Sequence, residues 1–290
     1  AIAHAAMAVH AGLADCVACV YATTARSSKD RFGAGGELYN AIFGMASPGA
    51  QYAMLYTRYL DKFGYLGREY LQAAVPIAFR KHAALNPVAT MREPLTIEQY
   101  LHAPYVARPL RRLDYCLVSD GAVCVIVTSA ERARTLRLPP AYVGAFSSHA
   151  SLWEMYVPPD GPEAHYYAYA ERMMRDILAQ SGRSRRDISA MQVYDNFTPD
   201  VLWSLEGAGF CRKGEALDWI QGGRIELGGE LPINTSGGMM SETYLQGWNG
   251  IAEAARQIRQ ECGPRQVHDC SAVLYACLAG VSNMVLLTRD

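Results

Sequence analysis

Short apolar runs that favour β-structure alternate with helix-like segments, and this alternation constrains the fold more than any other feature. The runs at 15–22, 119–129, 141–147 and 271–288 contain few polar residues, which predicts strands buried on both faces. The stretch at 163–180 instead carries a helical pattern. Strands that alternate with helices predict an α/β fold whose sheets are covered by helices.

The composition supports a sizeable core and argues against two classes of partner. Of the 290 residues, 50% are hydrophobic and 19% are charged, which is enough apolar material for a core. The 27 Lys and Arg residues nearly balance the 28 Asp and Glu residues, whereas binding to nucleic acid or to an anionic membrane calls for a basic excess. No apolar run approaches the roughly 20 residues that span a bilayer. We therefore expect no nucleic-acid partner and no membrane span.

Eight cysteines bear on the cellular compartment. The sequence does not open on a basic segment followed by a long apolar run, so we expect a cytoplasmic protein with reduced thiols. Cys16 and Cys19 form a CxxC pair, but no second pair follows. Their Val and Ala neighbours favour two thiols on a buried strand over a zinc or redox site. We therefore expect no metal site.

Three stretches carry residues that go beyond a fold class. The first is Ser119-Asp-Gly-Ala before a strand, and the second is Tyr194-Asp-Asn-Phe-Thr before a helix. The third is Gly228-Gly-Glu-Leu-Pro-Ile-Asn-Thr-Ser-Gly-Gly-Met-Met-Ser-Glu-Thr-Tyr-Leu-Gln-Gly. The glycines form neither a dinucleotide-binding GxGxxG after a strand nor a phosphate-binding loop. The three stretches therefore match neither of these nucleotide-binding motifs.

Together these stretches resemble the thiolase superfamily, in its sterol-carrier or lipid-transfer branch, along nearly the whole chain. The resemblance implies two similar halves packed as a five-layer αβαβα sandwich. Residues 1–136 would be the remainder of the N-terminal half, with an inserted loop and helical region, and residues 137–290 the C-terminal half. It also implies a homodimer and an acyl-CoA substrate, with coenzyme A as part of the substrate rather than a permanently bound cofactor.

The opening segment of small residues resembles the helix that follows the nucleophilic Cys in thiolases. The resemblance therefore implies that the nucleophile position, and the first strands of the N-terminal half, lie before Ala1 and outside this chain.

Two departures from ordinary thiolases concern the oxyanion-binding positions. The His of the thiolase Gly-His-Pro motif falls on Tyr244, and the first position of the Asn-Glu-Ala-Phe motif falls on Tyr194. A phenol donates a hydrogen bond to an oxyanion and can shuttle a proton, but it does not replace imidazole as a base near pH 7. Retro-aldol cleavage of a β-hydroxyacyl-CoA fits two tyrosines better. One Tyr takes the β-hydroxyl proton, the Cα–Cβ bond breaks, and the other stabilises or protonates the thioester enolate.

The sequence most resembles a thiolase-like aldolase subgroup that has Tyr at the His position and cleaves steroid side chains. This resemblance implies breakdown of a steroid or other lipid side chain, and a small DUF35-type partner with a zinc ribbon and an OB-fold. Two alternatives stay open at this point. One is an acyl-CoA thiolase of the acetyl-CoA acyltransferase type, with a Cys nucleophile upstream of Ala1. The other is an inactive thiolase-like scaffold or lipid-binding subunit.

Further candidates surround the two tyrosines. Four are candidates for a catalytic or supporting role: Asp195, Asn234, Glu242 and Cys277. Four are candidates for substrate binding: Ser236, Gly237, Gly238 and His149. Structural alternatives exist for several of them. Asp195 is also suited to cap the helix that follows it, Asn234 and the glycines to form a tight turn, and Cys277 to pack as a core thiol.

Overall fold

Helices and strands alternate through much of the computed structural model, which confirms the predicted α/β class. The structure describes residues 1–29, 42–45, 47–150, 167–278 and 281–290, so the turn predicted at 158–162 lies outside the described residues. The helices are α1 (Ile2–His10), α2 (Pro48–Lys62), α3 (Ala74–Ala84), α4 (Ile97–His102), α5 (Ala130–Arg134), α6 (Tyr167–Ser181), α7 (Thr198–Gly207), α8 (Ala216–Trp219), α9 (Gly238–Ser241) and α10 (Trp248–Ile258). The strands are β1 (Cys16–Thr24), β2 (Tyr105–Ala107), β3 (Leu110–Arg111), β4 (Asp120–Thr128), β5 (Tyr142–Ala150), β6 (Ala190–Val193), β7 (Ala272–Cys277) and β8 (Val281–Thr288).

A four-stranded mixed sheet in the order β5-β8-β7-β6 lies at the centre of the fold. β8 pairs antiparallel with both β5 and β7, whereas β6 and β7 run parallel. Alternate residues of β7 enter two different apolar clusters. Leu274 packs with side chains of α6 and α7, and Val273 packs with side chains of α10. Helices therefore cover both faces of this sheet, and β6 and β7 are buried along their whole length.

β1 and β4 form a separate antiparallel ladder. α1 packs on both strands, and α10 contacts β4 as well as the central sheet. The layers therefore follow the order helices, sheet, helices, sheet, which accounts for four of the five layers of the predicted sandwich. None of the described helices is long and apolar enough to cross a bilayer.

The outer face of the β1–β4 ladder is exposed in the described part of the chain. Val20 is 63% exposed and Ile126 is 65% exposed. The expectation of strands buried on both faces is therefore wrong for β1 and β4, because only alternate residues of each strand face α1 and α10. The two thiols of the CxxC pair are separated in the same way, since Cys19 is buried and Cys16 is exposed.

The parallel pairing of β6 and β7 brings two loops to one edge of the sheet. Tyr194 directly follows β6, and β7 ends at Cys277. The glycine-rich segment joins the same edge, because Ile233 forms a parallel bridge with Met191 of β6. Polar residues that are far apart in the sequence thus converge beyond the carboxyl ends of β6 and β7.

Candidate active site

Tyr194 and Tyr244 lie side by side, with 3.1 Å between their phenol oxygens. The backbone N–H of Tyr194 donates to the carbonyl of Ala276 at 2.9 Å, which ties Tyr194 to β7. The backbone N–H of Tyr244 donates to Ser119 Oγ at 3.1 Å. Both side chains are buried, at 8% and 4% exposed. The structure therefore brings together the two tyrosines that stand at the thiolase oxyanion positions, from loops 50 residues apart in sequence.

Burial controls the acidity of both phenols. It raises the pKa of Tyr244 to about 12, and the hydrogen bond with Tyr194 opposes that rise. Burial raises the pKa of Tyr194 still further, and the neighbouring Tyr244 adds to the increase. Both side chains are therefore neutral near pH 7. Tyr244 is the stronger acid of the two, and the phenolate of Tyr194 would be the stronger base.

A cavity of about 460 Å³ opens beside the pair, within the roughly 300–1,000 Å³ of small-molecule sites. Tyr194 lines this cavity together with Trp248 and Ile251 of α10, and Cys277 lies on the same wall. The walls are thus mostly apolar, with a few polar groups. Among the residues that the structure describes, no cluster of His, Cys, Asp and Glu side chains is suited to hold a metal ion.

Asp195 is a buried carboxyl that holds the start of α9. Its two oxygens accept hydrogen bonds from the backbone N–H groups of Met239, at 2.9 Å, and Met240, at 3.1 Å. Burial raises the pKa of Asp195 to about 8, although these donors oppose the rise. The expectation that Asp195 caps the helix following it is wrong, because it caps α9 instead. Asp195 therefore supports the segment that leads to Tyr244.

The Gly237-Gly238 turn allows this close approach. Gly238 has a φ of +62°, and a Cβ there would meet the Asp195 carboxylate, so the position requires glycine. A Cβ on Gly237 would lie 2.7 Å from Ala83 Cβ of α3. Neither glycine lines the cavity. The Asp195 carboxyl group and α3 occupy the space around the two glycines, and their contact with substrate stays a prediction.

Asn234, Ser236 and Glu242 also lie behind the site rather than in the cavity. Asn234 pairs its side-chain amide with the backbone of Val193 at the end of β6, at 2.7 and 3.1 Å. Ser236 is fully buried and donates to Glu242 at 2.6 Å. Asn249 also donates to Glu242, at 3.1 Å. These contacts hold the three side chains in the protein interior. Substrate binding by Ser236 and supporting roles for Asn234 and Glu242 stay predictions.

His149 lies on the helix side of β5. Its ring stacks on Tyr169 of α6 with 5.0 Å between ring centroids. Its Nδ1 accepts a hydrogen bond from Arg172 of α6 at 2.6 Å. The cavity is lined by Ser147 and Ser148 rather than by His149. The side chains of α6 therefore hold the ring of His149, and its contact with substrate stays a prediction.

Sequence reasoning missed three residues that contact the tyrosines. Gln246 accepts a hydrogen bond from the Tyr244 hydroxyl at 2.9 Å and donates to the Tyr194 oxygen at 3.4 Å. Ser119 anchors the backbone of Tyr244, and Tyr275 packs in the same apolar cluster as both phenols. One signal pointed to Gln246, since it stands two residues after Tyr244 in the same stretch. Ser119 lies 125 residues from Tyr244, and no spacing rule connects them.

Comparisons with known proteins bear on these assignments. The family described as Thiolase C-terminal domain-like (Thiolase_C_1) matches residues 165–287. The 17-hydroxy-3-oxo-4-pregnene-20-carboxyl-CoA lyase of Mycobacterium tuberculosis (strain ATCC 25618 / H37Rv) is 41% identical over 274 residues, which cover 89% of this chain and 70% of that protein. The steroid side-chain-cleaving aldolase of Thermomonospora curvata is 36% identical over 302 residues, which cover 99% of this chain and 76% of that protein.

Among solved structures, the chain is similar to the Ltp2-ChsH2(DUF35) aldolase. The TM-score is 0.88 at 35% sequence identity, and the match covers 99% of this chain and 76% of that one. These similarities confirm the predicted family, the thiolase-like α/β fold and the carbon–carbon lyase chemistry. The chain belongs to the thiolase superfamily, in the branch of the steroid side-chain-cleaving aldolases.

Proposed function

We propose that this protein cleaves the Cα–Cβ bond of a steroid β-hydroxyacyl-CoA by a retro-aldol reaction in which Tyr194 and Tyr244 relay the proton. The observation that carries the proposal is the pair of phenol oxygens 3.1 Å apart beside a largely apolar cavity. The similar lyase and aldolase are named for steroid substrates, which supports the substrate class.

The relay moves one proton without forming a free phenolate. Tyr194 lines the cavity and takes the proton of the β-hydroxyl while it passes its own proton to Tyr244. The Cβ–O bond becomes a carbonyl, the Cα–Cβ bond breaks, and its electron pair enters the thioester enolate. Tyr244 gives up its own hydroxyl proton in the same movement, so that it stays neutral and a hydrogen ends on Cα. One O–H bond and one C–C bond break, and one C=O bond and one C–H bond form.

The pKa values of the two phenols suit the two ends of the relay and favour a concerted route. With the pKa of Tyr244 at about 12, a free phenolate would make up about one part in 10⁵ at pH 7. A neutral relay avoids that rare state. Tyr244 is the stronger acid and therefore the better donor to an enolate, whereas Tyr194, with the higher pKa, is the better acceptor.

The test is product analysis with a steroid β-hydroxyacyl-CoA and no free coenzyme A. We expect a ketone and a shortened acyl-CoA in equal amounts. In D₂O we expect one deuterium on Cα of the shortened acyl-CoA, because the enolate is protonated there. Turnover that requires free coenzyme A would indicate a thiolase instead. No turnover with the partner protein present would indicate an inactive scaffold.

The proposal includes partners, cofactor and location. The similar solved structure is a DUF35 complex by name, which supports a DUF35-type partner with a zinc ribbon and an OB-fold. The exposed apolar face of the β1–β4 ladder is compatible with a homodimer. Coenzyme A enters as part of the substrate. A cytoplasmic location, expected from the sequence, is part of the proposal. Copurification with a coexpressed DUF35 protein and the mass of the purified complex test the first two points.

A further inference from the structure

We propose that Gln246 is a positioning residue that sets the direction of proton transfer between Tyr194 and Tyr244. The inference rests on the relay proposed above and goes beyond it, since it assigns a role to a third side chain.

Gln246 closes a ring of hydrogen bonds with the two phenols. The Tyr244 hydroxyl donates to Gln246 Oε1 at 2.9 Å, and Gln246 Nε2 donates to the Tyr194 oxygen at 3.4 Å. The phenol oxygens complete the ring at 3.1 Å. Gln246 also lines the cavity beside Tyr194, so the ring lies where substrate would bind.

The chemistry of an amide gives this ring a direction. The amide oxygen only accepts hydrogen bonds, and the amide nitrogen only donates them. With Tyr244 donating to Oε1 and Nε2 donating to Tyr194, the remaining bond must run from the Tyr194 hydroxyl to the Tyr244 oxygen. This is the direction in which the relay moves the proton. The amide therefore orients the Tyr194 hydroxyl so that, before the reaction, it donates its proton towards the Tyr244 oxygen.

The amide also stabilises the changing charges. Negative charge grows on the Tyr194 oxygen as it releases its own proton, and the N–H group of Gln246 donates to that oxygen. An aliphatic side chain at this position would leave either phenol free to donate to the other. The relay would then start from two orientations instead of one.

The backbone fixes where this amide lies. Gln246 has a φ of +53°, in the left-handed region that residues with a Cβ seldom adopt. Its neighbours Leu245 and Gly247 are buried, and the N–H of Trp248 donates to the carbonyl of Leu245 at 2.9 Å. Gln246 itself is exposed, and from this tight turn its amide contacts both phenols.

Two substitutions separate the hydrogen bonds of the Gln246 amide from the size of the Gln246 side chain. Gln246→Leu removes both the donor and the acceptor. Gln246→Glu keeps the size, but an ionised carboxylate only accepts hydrogen bonds, so Tyr194 loses its donor. A protonated Glu has one O–H donor and one acceptor and restores the pattern. The activity of Gln246→Glu relative to the wild type should therefore rise as the pH falls towards the Glu pKa of about 4–5.

Gln260 supplies the matched control. It is also a Gln with a positive φ, of +60°, but its side chain bonds the backbone of Gln257 at the end of α10. Gln260→Leu and Gln260→Glu make the same chemical changes at a residue whose φ also lies in the left-handed region, but away from the tyrosines. We expect both control variants to keep wild-type kcat and the wild-type pH profile.

The experiment measures kcat and KM for substrate cleavage between pH 5 and pH 9, with the full-length protein and its copurified partner. We expect Gln246→Leu to lower kcat by roughly 10- to 100-fold with KM within about 2-fold. We expect Gln246→Glu to show the same loss at pH 8 and to recover part of it at pH 5. A kcat within about 2-fold of wild type for Gln246→Leu, or identical pH profiles for Gln246→Glu and Gln260→Glu, would overturn the inference.

Tyr244→Phe, assayed in parallel, separates this inference from the relay itself. If Tyr244→Phe is nearly inactive while both Gln246 variants are fully active, the role of Gln246 is wrong and the relay stands. If Tyr244→Phe keeps full activity, the relay is wrong and the role of Gln246 falls with it.

Discussion

Replacing Gly247 with Ala would place a methyl group between two tyrosines of the site. Gly247 has a φ of +80°, and a Cβ there would meet the hydroxyl of Tyr275 and lie 2.9 Å from Cδ2 of Tyr194. The new methyl group must therefore displace at least one of these rings. Because Tyr194 is one end of the proposed relay, the substitution should affect both folding and catalysis.

The loss of stability expected for Gly247→Ala has two parts, and a substitution at a second glycine separates them. A residue with a Cβ in the left-handed region costs about 1–2 kcal/mol, and overpacking a dense site adds about 1–3 kcal/mol. Gly228 has a φ of +84° and open space around the added Cβ. Gly228→Ala should therefore cost about 1–2 kcal/mol, and Gly247→Ala about 2–5 kcal/mol.

Urea unfolding of both variants measures the difference, and steady-state kinetics measures its effect on the site. We expect Gly247→Ala to be less stable than Gly228→Ala by about 1–3 kcal/mol. We also expect kcat to fall about 100-fold for Gly247→Ala, as for a 1 Å misplacement of a reacting group, and to stay unchanged for Gly228→Ala. Equal stability of the two variants together with unchanged kcat would refute this reasoning.

Three further predictions concern other groups around the site. The pKa of Asp195, about 8 in the folded protein, lies above its ordinary value of about 3.9, so its contribution to stability is lost as the pH rises from about 4 to about 8. Urea unfolding of the wild type and of Asp195→Asn at pH 5 and pH 8 measures this effect. The free energy of unfolding of the wild type, relative to that of Asp195→Asn, should be lower at pH 8 than at pH 5. The same difference between the two proteins at both pH values would contradict the prediction. Arg265→Met removes the cation that lies 3.1 Å from the buried carboxylate of Glu253. The free energy of unfolding, measured in urea, should fall by about 3–5 kcal/mol. A fall below about 1 kcal/mol would show that the ion pair is dispensable. Cys277→Ala should keep kcat within about 3-fold, since the relay uses only phenol oxygens, and a 100-fold loss would show that the thiol takes part.

The sequence predicted the parts of the fold that follow local patterns. The apolar runs correctly placed β4, β5, β7 and β8, because continuous hydrophobic segments of this length are typical of strands. The same pattern failed for the burial of β1 and β4, since local composition does not reveal which elements cover a sheet. Val20 and Ile126 are apolar and yet exposed.

The two tyrosines could be predicted because they fall on motif positions, but their surroundings could not. His149 follows two serines on a strand, and only the structure shows that Tyr169 and Arg172 hold its ring. Ser236 lies in the same turn as Gly238, but its hydroxyl points to Glu242 rather than to the cavity. The direction in which each of these side chains points depends on contacts between segments that are distant in the sequence. Residue spacing along the chain does not predict such contacts.

The most direct test of the account is the rate of Cα–Cβ cleavage in Tyr194→Phe, Tyr244→Phe and the double variant. Phe keeps the ring and removes only the hydroxyl. If the phenols form one relay, each single variant loses about 10²- to 10⁴-fold in kcat, and the double variant is no slower than the slower single variant, because residues that act as a unit are not additive. A single variant that keeps more than half of the wild-type kcat, or a double variant whose loss equals the product of the two single losses, would contradict the relay.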